Sequence, residues 1–127
     1  MHIPPRLRWG LLAGYAGTVA LLSLLPPRAF HVTPPRIPHL DKLVHAGMYG
    51  ILAVLLCWSL ALRRHEPRKL LAILAAVAGY GLLLELGQFG LTGGQRAFEL
   101  ADALANLTGG AVMAALWLLL HRPPPPA

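Results

Sequence analysis

Four runs of apolar residues, at 9–25, 40–62, 70–91 and 101–120, take up most of this 127-residue chain, with short polar or proline-rich segments between them. At a helical rise of about 1.5 Å per residue, such runs reach about 25 to 35 Å, the thickness of a hydrocarbon core of about 30 Å. Inside lipid a backbone must satisfy its own hydrogen bonds, and these runs lack the ten-residue alternation of barrel strands. The prediction is an all-α integral membrane protein: a compact bundle of four transmembrane helices forming one domain over residues 1–127.

Composition agrees with that reading. The chain is 56% hydrophobic and 13% charged, against about 25% charged in a soluble domain. Its net charge of +6 invites a nucleic-acid reading, but the basic residues flank apolar runs and no aromatic-basic stripe interleaves them. The charge therefore reads as topology and lipid headgroup contact, and nucleic acid is excluded as a partner. Cys57 is the sole cysteine, so no disulfide and no cysteine metal site forms within the chain. It is expected to be a small buried hydrophobe.

The first run follows Arg6 and Arg8 as the apolar part of a signal peptide would. The segment Ser23-Leu24-Leu25-Pro26-Pro27 is a poor cleavage site, so the run is expected to remain as a helix. Gly10, Gly14 and Gly17 are predicted to let neighbouring helices approach closely. Segment 26–39, with Pro26, Pro27, Pro34, Pro35 and Pro38, is expected to be an extended, semi-rigid cover. Residues 122–127 are expected to be a disordered proline-rich tail.

Lys and Arg residues set the orientation. Arg6, Arg8, Arg63, Arg64, Arg68, Lys69 and Arg122 fall on one side, and Arg28, Arg36, Lys42 and Arg96 on the other. The richer side is cytoplasmic by the positive-inside rule, which places both termini in the cytoplasm and the first and third loops outside, in a bacterial cytoplasmic membrane.

The polar residues are distributed unevenly over the helices. The cytoplasmic ends carry ordinary flanking charges, whereas the outward ends carry acids, amides and a histidine. Asp41, His45 and Tyr49 follow one another at spacings of four and share a helix face, with Lys42 beside them. Glu85 and Gln88, three apart, share a face of the third helix, and Asp102, Asn106 and Gly109 form a stripe on the fourth. A charge at membrane depth costs about 2.5 to 3.5 kcal/mol on insertion scales, so such residues point into the bundle or a wet cavity. Glu85, deep within the third helix, is the residue that headgroup-level charge explains least. Because helix direction alternates, these ends converge on one face of the bundle.

Each residue also has a plainer role. Asp41 and Asp102 stand where first-turn acids stabilise a helix dipole, Asn106 where an amide bridges helices, and His45 where an interior histidine is simply satisfied. Tyr49 and Trp58 also suit packing or the membrane interface. Three carboxylates, two amides and a histidine at one end of a small bundle exceed what capping requires.

At these residues the chain resembles the VanZ-like family of small bacterial membrane proteins, known for a member associated with glycopeptide resistance, especially to teicoplanin. Asp41, Lys42, His45 and Tyr49 resemble the family's D-K-x-x-H-x-x-x-Y. Glu85 with Gln88 resembles its E-x-x-Q, and Arg96, Asp102, Asn106 and Gly109 resemble its R-x-x-x-x-x-D-x-x-x-N-x-x-G. Pro26 after the first helix also fits. Ala46 departs from the pattern, in which an aromatic residue often follows the histidine. The resemblance implies a cell-envelope membrane protein.

Two functions are compatible with this set. In the first, the outward site takes the headgroup of a phosphorylated membrane lipid or lipid-linked envelope precursor. Lys42 and Arg96 would hold phosphate, a divalent cation would sit among Asp41, His45, Glu85 and Asp102, and His45, Glu85 and Asp102 would be the candidates for acid–base catalysis. Tyr49, Gln88 and Asn106 complete the candidate binding residues. In the second, the polar network is structural and the bundle acts without catalysis by binding lipid or a partner protein. A dry, paired network favours the second and a cavity with an entry path the first.

Overall fold

The computed structural model describes residues 3–25, 38–91 and 100–121. Four helices account for nearly all of them, with no strand among the described residues: α1 (Pro5–Leu24), α2 (Leu40–Ser59), α3 (Pro67–Leu91) and α4 (Leu100–Leu120). All four are long and apolar enough to cross a membrane. The proline-rich segment 26–37, Arg96 with its loop, and the tail from 122 lie outside the described residues.

Successive helices run in opposite directions. Arg8 of α1 meets Trp58 at the end of α2, while Ser23 of α1 meets Gln88 near the end of α3. α2 and α3 touch each other and lie between the outer two helices; α1 and α4 both pack on this central pair and make no contact with one another. The closest packing is between α2 and α4.

Apolar runs and helices begin at different places. α1 starts at Pro5 and α3 at Pro67, ahead of the expected residues 9 and 70. Proline suits the first helical position because its φ is already helical and its missing N–H would have had no partner there. α2 ends at Ser59, short of the expected residue 62. Ala61 takes φ 50°, and the Leu62 N–H donates to Cys57 O at 2.8 Å while the Ala61 N–H donates to Trp58 O at 3.2 Å. This bond pair is a Schellman turn. It folds Leu62 back into the buried cluster of Cys57, Ile73 and Ala114, so the apolar sequence continues after the helix has stopped.

A left-handed alanine is strained by its Cβ, at about 1 kcal/mol or more. Ala61→Gly removes that strain and should raise stability by about 1 kcal/mol, read as a higher unfolding temperature of the purified protein in detergent.

Glycine does bring helices together, but at positions other than those expected. A Cβ built on Gly10, Gly14 or Gly17 would meet nothing within 4 Å, because α1 packs through Leu12, Tyr15, Ala16 and Val19 instead. The close approach lies between α2 and α4, where a Cβ on Gly109 would fall 2.1 Å from Ala46 O and one on Gly50 2.7 Å from Met113 Cγ. Small side chains are used there because lipid offers no hydrophobic drive and association depends on backbone proximity. Cys57 is fully buried against α3 and α4 residues, as expected for a small hydrophobe.

Basic and indole groups complete the end where α2 and α4 finish. Lys69 donates to Leu60 O at 3.1 Å, Arg64 to Leu118 O at 2.9 Å and the Trp117 indole to Leu62 O at 3.2 Å. These donors satisfy carbonyls that a helix C-terminus leaves unpaired, and the cations among them oppose the dipole. Arg8 also lies 5.6 Å above the Trp58 ring, a cation–π contact. Glu66 joins the turn by accepting from Lys69 at 2.8 Å and from the Arg63 N–H at 2.9 Å. The Lys69 ammonium, and then that backbone bond, hold its carboxyl below the usual carboxylate range. The clamp is therefore intact at neutral pH and is lost as pH falls through that lowered value.

Candidate functional site

At the opposite end of the bundle the stripe of buried positions on α3 runs Ile73, Val77, Gly81 and Glu85, each four residues from the last and so stacked on one face. Glu85 occupies the next inward position, at 5% exposure. α2 and α4 begin at this end, and their first and second turns supply His45 and Asp102.

Ligand-capable atoms of His45, Glu85 and Asp102 all lie within 4.8 Å of one another. One residue comes from each of three helices, so the group exists only when α2, α3 and α4 are packed together. Around it, Lys42 Nζ is 3.5 Å from Asp102 Oδ1 and 3.1 Å from Asp41 Oδ2. Asp102 Oδ1 is itself buried, and its contact with Lys42 is an ion pair without hydrogen-bond geometry.

Asn106 explains how the imidazole is held. Its Oδ1 lies 3.2 Å from His45 Nδ1. An amide oxygen can only accept, so in this pairing Nδ1 is the donor, and in the neutral ring with that tautomer the lone pair is on Nε2. Asn106 is 1% exposed and occupies space that a side chain on residue 81 would take, since a Cβ on Gly81 would fall 2.8 Å from Asn106 Nδ2 and 3.1 Å from Tyr49 Cε1. Asn106 Nδ2 is buried without a hydrogen-bond partner among the described residues.

Tyr49 is buried below this layer, its ring 6.4 Å from those of His45 and Tyr80. It packs in the core with Leu52, Ala53, Val77 and Leu84, the packing role being one of those expected of it.

Two candidates stand away from the group. Asp41 shares the helical phase of His45, yet its side chain is 61% exposed and paired with Lys42. It sits in the first turn of α2, a full turn nearer the helix end than His45, and the ligand-capable group does not include it. Gln88 donates through Nε2 to Ser23 O at 2.6 Å, so it binds the end of α1 as well as sharing a face with Glu85. Arg96 lies outside the described residues. Sequence reasoning passed over Gly81, although its place in the stripe between Val77 and Glu85 marked it as an inward position.

Chemically, two carboxylates and an oriented imidazole can exchange a proton or ligate a cation. A surface recess lined by residues 65–69 lies at the other end of the bundle and takes no part in this group.

No curated protein and no solved structure gives a significant match to the chain. The family model described as VanZ/LLP1 matches residues 10–121, a stretch that contains all four helices almost entire together with His45, Glu85, Asp102 and Asn106. With four helices capable of crossing a membrane and a match over most of its length, the chain is a multi-pass membrane protein that belongs to the VanZ-like family.

Proposed function

We propose that this VanZ-like protein sits in the cytoplasmic membrane of a bacterium with both termini inside, and that its polar end faces outward to bind the headgroup of a phosphorylated lipid or lipid-linked envelope precursor. The supporting observation is the convergence of His45, Glu85 and Asp102 from three helices at one end of the bundle. An acid as buried as Glu85 is costly to keep at that depth without a ligand or a partner. Lys42 stands beside the group as a phosphate contact, with Arg96 of the following loop proposed as a second. Hydrolysis or transfer of the headgroup is the chemistry that the three residues would serve. Glycopeptide resistance, to which the family is linked, would then follow from altered handling of an envelope precursor.

The test is capture of a phosphorylated polyprenyl lipid by the full-length protein in nanodiscs, compared with the unphosphorylated alcohol. Preference for the phosphorylated form of at least about tenfold, about 1.4 kcal/mol, is expected, and equal capture of the two would refute the headgroup reading.

The His45–Asn106 bond and the Lys42–Asp102 pair favour a second reading, in which the network only fixes the bundle and the protein acts by binding lipid or a partner protein. In that case Glu85→Gln would lower the amount of protein in the membrane rather than its binding selectivity.

Orientation has its own check. A cysteine introduced at position 96, in a Cys57→Ser background, should react with a membrane-impermeant maleimide in intact cells. Reaction only after the membrane is opened would invert the topology.

A further inference from the structure

We infer that His45, Glu85 and Asp102 form a site for one divalent transition-metal ion, such as Zn²⁺ or Mn²⁺. The role given to its open position rests on the headgroup reading; the site itself rests on geometry. One imidazole nitrogen and two carboxylates are the mixed nitrogen and oxygen donor set that such ions accept. Donors at about 2.0 to 2.2 Å from a tetrahedral ion stand about 3.4 Å apart. The three side chains already place ligand atoms within 4.8 Å of each other, so rotations that move their ends by about an ångström close the set.

Two further features fit an ion there. Asn106 is nine-tenths buried and accepts from His45 Nδ1, the outer hydrogen bond that fixes a metal-binding histidine in the tautomer with its lone pair on Nε2. Among the described residues the buried Asp102 Oδ1 has no hydrogen bond and lies 3.5 Å from the Lys42 ammonium, leaving lone pairs for a cation.

Electrostatics give the ion its purpose. A phosphate brought to this end meets two carboxylates, and Lys42 already pairs with both Asp41 and Asp102. A bound cation would offset their repulsion of the phosphate alongside Lys42. Three protein donors leave a tetrahedral ion one position, which a water or a phosphate oxygen fills. The ion would thus turn an acid-rich group into an anion receptor.

Metal content tests this directly. Full-length protein in phosphatidylcholine nanodiscs is stripped with chelator, exposed to Zn²⁺ or Mn²⁺, desalted and assayed for bound metal by mass spectrometry. One ion per chain is expected in the wild type, with affinity at least about tenfold weaker in His45→Ala, Glu85→Gln and Asp102→Asn. Glu66→Gln, whose acid lies at the other end of the bundle, should retain the ion. Absence of stoichiometric metal in the wild type, or unchanged retention in all three site variants, overturns the inference. Should those variants fail to fold, Co²⁺ loaded into the wild type decides: intense visible bands of a tetrahedral ion support the site, and the spectrum of the hydrated ion overturns it. Lipid capture measured with and without metal separates the two ideas. Metal binding without capture of phosphorylated lipid keeps the cation site and removes the headgroup reading, whereas capture that survives complete chelation overturns the bridging ion.

Discussion

Gly109→Ala should leave little folded protein, because the added methyl carbon would lie 2.1 Å from the Ala46 carbonyl oxygen and 2.7 Å from its Cα. Both obstacles are backbone, so no rotamer change relieves them. α2 and α4 would have to separate along the most closely packed seam of the bundle, at the upper end of overpacking costs, about 3 kcal/mol or more. Unfolding temperature in detergent and yield from membranes should both fall sharply. Gly79→Ala provides the comparison: nothing lies within 4 Å of its added carbon, and a helical alanine there should be neutral or better by up to about 1 kcal/mol. Wild-type stability for Gly109→Ala would mean that the two helices do not meet at this point.

Glu85→Gln and His45→Ala should each abolish capture of phosphorylated lipid, and any resistance it confers, while membrane abundance stays near that of the wild type. Glutamine keeps the shape and hydrogen bonding of residue 85 and removes only the charge, so the substitution separates ionisation from packing. The loss should be at least about tenfold, about 1.4 kcal/mol in binding. His45→Ala removes the Nε2 lone pair but leaves Asn106 Oδ1 without its donor, so abundance must be measured beside function. Trp58→Phe should be tolerated, since its ring keeps an apolar body and a face for Arg8. Full activity of Glu85→Gln would end the ionised-site reading, and loss of protein in every variant would favour a structural network.

Much of this arrangement could be read before any coordinates. Period and length give four spans, and the alternation of helix direction assigns His45, Glu85 and Asp102 to one end, because each depends only on local patterning and membrane thickness. What escaped depends on three-dimensional proximity. Hydropathy carries the second run to residue 62, but the helix ends at Ser59 because Ala61 adopts a conformation more usual for glycine. Gly10, Gly14 and Gly17 have the composition of a contact surface and face open space; Gly109, part of a functional motif in the sequence, is where two backbones meet. Helical phase placed Asp41 with His45 but could not show which side chain turns to solvent.

Four side-chain donors to main-chain acceptors tie α1 to its neighbours: Arg8 to Trp58 O at 3.4 Å, Tyr15 to Met48 O at 2.7 Å, Tyr80 to Ala16 O, and Gln88 to Ser23 O at 2.6 Å. Interhelical bonds of this kind contribute about 0.6 kcal/mol on average in membranes, and up to about 1.7. Every residue type presents a carbonyl, so replacement of Met48, Ala16 or Ser23 does not delete an acceptor. The polar information that seats the first helix is therefore concentrated in one guanidinium, two phenols and one amide, two of them outside that helix. Away from the core positions Leu12 and Val19 its own sequence is correspondingly free to drift, and a foreign apolar segment that retains those two, the arginine, the tyrosine and the small residue beside it should serve in its place.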